Sequence, residues 1–126
     1  MPHSDPIRRW DLFWARLEPV EGSEQGGNRR PVLVLSNDPF NRAFDVVTVI
    51  SLTKLEGKRR KVYPFEVSLP PASVGNGYTP IAMPQQVRTI AKSRLISRIG
   101  RLEDDSARYD VESKLLHHLG IAIDEA

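Results

Sequence analysis

The chain has 126 residues, with 18 Lys and Arg against 16 Asp and Glu, three His, ten Pro and no Cys. That length fits one domain with its own core, and the lack of Cys removes disulfides, thiolate metal ligands and a Cys nucleophile together. Three His at positions 3, 117 and 118 do not have the spacing of a His-based metal cage, so no metal site is expected. No apolar run approaches the ~20 residues a membrane span needs, and the Pro- and Asp-bearing start is unlike a signal peptide. The expectation is a soluble cytoplasmic protein without a membrane partner.

The net charge of +2 is unevenly divided. Residues 1–101 hold 16 Lys and Arg against 9 Asp and Glu, whereas residues 102–126 hold 2 against 7. A basic body with an acidic tail points to a polyanionic ligand. An acidic surface helix packed on a mildly basic domain gives the same pattern.

In chain order, residues 1–9 are polar and carry Pro2 and Pro6, so a flexible N-terminal segment is expected before a single domain over 10–126. Asp11–Leu17 is aromatic and apolar and reads as a strand. Glu18–Arg30 contains Pro19, Gly22, Gly26 and Gly27 and reads as a loop. Pro31–Ser36 and Val46–Leu52 are short runs of Val, Leu and Ile, as expected of strands buried on both faces, with the turn-prone NDPFNRAFD between them. Lys54–Lys61 is a charged loop, Phe65–Leu69 alternates like a strand, and Pro70–Pro80 is a Pro/Gly/Asn connection. Ile81–Thr89 resumes a strand interrupted at Pro84, and Ile96–Leu102 alternates again. Over about 104–119 the period changes: Ala107, Val111, Leu115 and Leu119 recur every four residues, which predicts an amphipathic helix. Asp104, Asp105 and Ser106 supply N-cap candidates, and His117, His118 and Gly120 mark its end. Short strands closed by one helix predict a mainly β fold, a small and strongly curved barrel.

The loop from Gly22 to Pro31, GSEQGGNRRP, concentrates the chemistry. Gly26 and Gly27 allow the backbone to approach a ligand closely. Arg29 and Arg30 stand where the chain enters a buried strand, which gives their guanidinium forks a rigid base for phosphate recognition. Pro31 keeps Arg30 extended. No Gly-Lys-Ser/Thr follows, so this is not a P-loop. A mobile surface loop with solvated arginines accounts for the same residues.

Asp11-Leu12-Phe13-Trp14, Glu18-Pro19, the GSEQGG loop at 22–27 and Arg30-Pro31-Val32-Leu33-Val34-Leu35-Ser36 together resemble the MazF/PemK family of toxin endoribonucleases. The likeness continues through Phe40-Asn41-Arg42, Ser51-Leu52-Thr53, Tyr63-Pro64-Phe65-Glu66-Val67 and Gln86-Val87-Arg88-Thr89-Ile90, and covers roughly residues 8–121. The resemblance implies an SH3-like barrel of the CcdB/MazF type and a homodimer opposed by a cognate, MazE-like antitoxin. The implied activity is cleavage of single-stranded RNA without a metal or other cofactor. The 2′-hydroxyl attacks the adjacent phosphodiester, leaving 2′,3′-cyclic phosphate and 5′-hydroxyl ends.

On the same resemblance Arg30 and Thr53 are the catalytic residues, and Glu24, Gln25, Arg29, Gln86 and Arg88 contact RNA. A fixed guanidinium aimed at the phosphoryl oxygens stabilises the charge that grows in the transition state. Three departures stand out. Trp10 replaces the Gly that usually precedes the first-strand Asp, and Ser23 and Gln85 stand where part of the PemK branch has His and Asp, leaving the general base unassigned. The loop before Arg30 is also one residue longer, so Arg29 could share or take over the phosphate contact.

Lys58-Arg59-Arg60-Lys61 reads equally as a phosphate attractor and as a solvated loop. Tyr63, Phe65 and Tyr78 are candidates for base stacking, with core packing the expected fate of Phe65. Two rival readings remain: a family member that binds RNA without cutting it, and a gyrase poison like the CcdB family. The gyrase poisons rely on a Trp-bearing C-terminal segment, whereas this chain ends Ile123-Asp124-Glu125-Ala126.

Overall fold

The computed structural model describes residues 5–56, 61–71, 73–75 and 77–122. Six strands and two helices follow the chain in the order β1 (Asp11–Ala15), β2 (Arg30–Val34), α1 (Asp38–Ala43), β3 (Val46–Lys54), β4 (Val67–Ser68), β5 (Pro80–Ala91), β6 (Leu95–Arg101) and α2 (Asp105–His118). All strand pairs are antiparallel, and the sheet order is β4-β5-β3-β2-β1-β6.

Alternation along β1, β2 and β3 builds two cores from one sheet. Leu12, Leu33, Ile50 and Leu52 face α2 and pack with Trp10, Ala107 and Val111. Phe13, Val32, Val34, Val47 and Val49 face the other way and pack with Leu17, Ile90 and Leu95. The Val-, Leu- and Ile-rich runs are thus buried on both faces, as their composition predicts. The sheet curls around the second core, but its ladder is not closed: a single 3-10 turn at Lys92–Arg94 joins β5 to β6, which do not pair. The expected barrel is therefore an open, strongly bent sheet among the described residues.

Strand β5 pairs with β3 on both sides of a large bulge. Val49 faces Arg88 and Ser51 faces Met83, so two steps along β3 correspond to five along β5. Pro84 sits in this break, as expected of a residue with no N–H to offer a ladder.

Helix α2 starts at Asp104, whose side chain accepts from the Ala107 N–H at 2.8 Å, and stops at Gly120, which has a φ of 74°. The turn expected over NDPFNRAFD holds a short helix instead. Asn37 caps it by accepting from the Phe40 N–H at 2.8 Å, and Pro39 suits its first turn. Of the N-terminal segment 1–9, residues 5–9 are described. Ile7, the segment's apolar residue beyond Met1, is buried in the second core. Behind it, buried Asp11 accepts from the Arg8 N–H at 2.8 Å, Arg98 at 2.5 Å and Arg101 at 3.0 Å. A carboxylate withdrawn from water needs such partners.

Trp10 is a non-glycine residue in the left-handed region, with a φ of 78°. Its backbone ties two strands together, donating to the Val34 carbonyl at 2.7 Å and accepting from Leu102 at 2.9 Å. Its buried ring lies against the guanidinium groups of Arg9 and Arg108, 4.8 and 5.3 Å from the centroid. Among the described residues no helix is long and apolar enough to cross a membrane.

Candidate active site

At one end of the sheet a cleft of about 370 Å³ is lined by Trp14, Arg29, Arg30, Pro31, Leu52, Thr53, Lys54, Val74, Tyr78 and Pro80. Its floor follows from strand register. Trp14 lies opposite Pro31, Ala15 opposite Arg30, and Val32 opposite Ser51. Continuing that antiparallel register by two residues sets Arg30 level with Thr53, on one face of neighbouring strands. The first residue of β2 and the penultimate residue of β3 therefore bring a guanidinium and a hydroxyl to the same cleft. Among the described residues the lining holds three cations and no carboxylate.

Arg30 is half-buried and held by its own loop. Its Nε donates to the Gly26 carbonyl at 2.9 Å. The Gln25 amide, turned so that its oxygen faces donors, accepts from Nη1 at 2.8 Å and Nη2 at 2.9 Å. Burial lowers the Arg30 pKa below the ordinary arginine value by desolvating the charge, although a guanidinium keeps its proton at any working pH. Gly26 has no room for a side chain: a Cβ there would lie 2.5 Å from the Val20 Cγ2 and 2.7 Å from the Glu18 Oε1. Gly27, with a φ of 121°, turns the chain back so that its carbonyl accepts from the Leu17 N–H at 2.8 Å.

The loop is fastened to the body by side chains from β5 and the turn after it. Gln86, presented by the bulge, accepts from the Gln25 N–H at 2.9 Å and donates to the Ser23 carbonyl at 3.2 Å. Arg88 donates to the Leu17 carbonyl at 3.3 Å, and Arg94 donates to the carbonyls of Arg16 and Glu18 at 3.1 and 2.5 Å. Bulges re-aim side chains without dissolving a sheet, and here the re-aimed residue is the loop's anchor.

The residues singled out in the sequence are thus only partly gathered. Arg29, Arg30 and Thr53 line the cleft, and Gln25 touches Arg30 directly. Gln86 and Arg88 hold the loop and are not among the lining residues. Glu24 closes its own turn, accepting from the Glu21 N–H at 2.7 Å. Arg29 is exposed and lies over the Trp14 ring, 4.7 Å from its centroid. Trp14 and Lys54 were not singled out in the sequence, although their positions at strand ends beside Pro31 and Thr53 could have found them. Lys54 Nζ lies 4.4 Å from the centroid of Tyr78, which also lines the cleft. Phe65, expected in the core, is exposed and stacks on Tyr63 at 5.4 Å. The neighbouring Val67 and Leu69 enter the core in its place. Of the basic run 58–61, residues 58–60 lie outside the described residues, and Lys61 Nζ is 5.3 Å from the Tyr63 ring.

Comparison with known proteins bears on the fold and the family. The endoribonuclease EndoA of Bacillus subtilis is 36% identical over 99 residues, covering 79% of this chain and 83% of its own. The endoribonuclease MazF9 of Mycobacterium tuberculosis is 37% identical over 101 residues, covering 76% and 82%. The crystal structure of MazF from Deinococcus radiodurans superposes with a TM-score of 0.76 at 30% identity, covering 94% of this chain and all of that one. Residues 8–119 match the model of the PemK-like, MazF-like toxins of type II toxin-antitoxin systems, and the chain belongs to that family.

Proposed function

We propose that this protein is a toxin endoribonuclease, and that it cuts single-stranded RNA at the Arg30 cleft by attack of a 2′-hydroxyl on the adjacent phosphodiester. The observation that carries this reading is the meeting of a loop-held, half-buried guanidinium and a threonine hydroxyl in a cleft whose charged lining, among the described residues, is cationic. Arg30 faces the phosphoryl oxygens and stabilises their growing charge, where removal of one such donor typically costs ~10²–10³ in rate. Thr53 orients the attacking hydroxyl or a phosphoryl oxygen. Much of the acceleration then comes from holding the reacting groups in line. The products carry 2′,3′-cyclic phosphate and 5′-hydroxyl ends, and no metal takes part.

The reading extends to a cytoplasmic homodimer whose cognate antitoxin silences it. The named activities of EndoA and MazF9 support RNA as the substrate class. The test is incubation with a long single-stranded RNA in EDTA, followed by mapping of the new ends. Discrete fragments with 5′-hydroxyl ends are expected, lost in Arg30→Ala and strongly slowed in Thr53→Ala. If wild type and Arg30→Ala leave the RNA equally intact, the enzyme reading fails. Loss confined to Arg29→Ala would move the phosphate contact to the arginine now resting on Trp14.

A further inference from the structure

A guanidinium offers two forks to a phosphate, one between its two Nη groups and one between Nε and Nη. Both forks of Arg30 are engaged by the loop: Gln25 Oε1 sits across the Nη pair, and the Gly26 carbonyl takes the Nε–H. A bidentate contact to phosphate therefore displaces one of these acceptors. Gly26 accepts through its backbone carbonyl, so it can leave the Nε–H only if the main chain of the loop moves. The Gln25 side chain can yield by itself, because the residue's place in the loop is held through its backbone N–H by Gln86 rather than through the amide that meets Arg30.

We propose that Gln25 is a resident acceptor: in the free protein its amide oxygen occupies the site of a phosphoryl oxygen on Arg30, and it must rotate away before a phosphodiester binds. This rests on the reading that Arg30 receives RNA phosphate. It also assigns Gln25 a role opposed to that implied by the resemblance, in which it contacts RNA. Gln25 is then a gating residue that keeps the guanidinium aimed while no substrate is present, and every productive encounter begins with its exchange for the ligand.

The two roles give opposite signs on substitution. Binding of a 2′-O-methyl oligoribonucleotide, which has no free 2′-hydroxyl to attack, is measured by anisotropy for wild type, Gln25→Ala and Gln25→Glu. A neutral acceptor that must be displaced predicts about three- to tenfold tighter binding in Gln25→Ala, the range set by a typical net hydrogen bond. A permanent, charge-assisted pair predicts binding at least tenfold weaker in Gln25→Glu. Unchanged or weaker binding in Gln25→Ala overturns the proposal, and melting curves of both variants control for the fold.

A second readout separates this from the functional reading. The same proteins are titrated with inorganic phosphate while the Arg30 Nε–Hε signal is followed by NMR. Tighter phosphate in Gln25→Ala supports the resident acceptor even if no RNA is bound or cut. Equal or weaker phosphate overturns it even if RNA is cleaved.

Discussion

Replacing Trp10 by glycine should harm the protein less than replacing it by alanine, an inversion of the usual order at a buried position. Either change deletes a buried indole, which typically costs 3–5 kcal/mol, and either takes the ring away from the guanidinium groups of Arg9 and Arg108. The two differ at the backbone, where φ is 78°. An alanine Cβ retains the left-handed penalty of about 1–2 kcal/mol, whereas glycine has none. Glycine's extra freedom in the unfolded chain offsets about 0.5–1 kcal/mol of that gain. The balance leaves Trp10→Gly more stable than Trp10→Ala by about 0.5–1 kcal/mol, or roughly 2–5 °C in Tm for a domain of this size. Urea and thermal unfolding followed by far-ultraviolet circular dichroism measure the difference directly. Alanine at least as stable as glycine would show that the strain at position 10 is absent or relieved elsewhere.

Gly26→Ala should leave Tm within a few degrees, because a surface loop can shift to relieve part of the clash with Val20 and Glu18. Cleavage should nevertheless fall about tenfold or more as the acceptor on Arg30 moves, and full activity in the RNA assay would contradict the cradle. Asp11→Asn leaves Arg98 and Arg101 without their shared carboxylate. It should cost about 2–3 kcal/mol in urea unfolding, below the range for fully buried pairs because both arginines are partly exposed; a loss under about 0.5 kcal/mol would demote this cluster. Glu56 accepts from both the N–H and the hydroxyl of Thr79 at 2.8 Å, which holds its pKa below the ordinary carboxylate value. A depressed carboxylate contributes at neutral pH and loses its contribution as pH falls through the folded-state value. The Thr79 amide signal should therefore move only at acid pH and stay fixed above the ordinary carboxylate range.

The central strands were legible because Pro31–Ser36 and Val46–Leu52 leave no polar residue to face water for long, and α2 because its apolar residues recur every four. Helix α1 was hidden by its length: six residues give no period, and only Asn37 and Pro39 announce it. Arg30 stood out by its place at the mouth of a buried strand and again through the family resemblance, Thr53 through the resemblance alone, while register brings the two level. Three features were beyond the sequence because they depend on neighbours distant along the chain: the aim of Gln86 from a bulge, the turning of Gln25 onto Arg30, and the burial of Ile7. Phe65 shows the opposite failure, since an alternating pattern assigns a face but not whether anything covers it.

The fastening of residues 16–25 has a consequence for how the protein opens. Gln86, Arg88 and Arg94 come from one continuous stretch of chain and hold the loop at both its ends. Breaking one tie leaves the others in place, so the loop should detach as a unit rather than fray residue by residue. Such a unit has an opening free energy of its own, below that of the sheet. Amide exchange at Leu17 and Gln25 would then share one rate while the centre of β3 exchanges far more slowly. On warming, catalysis would disappear with that first opening, in a protein whose β-sheet is still intact.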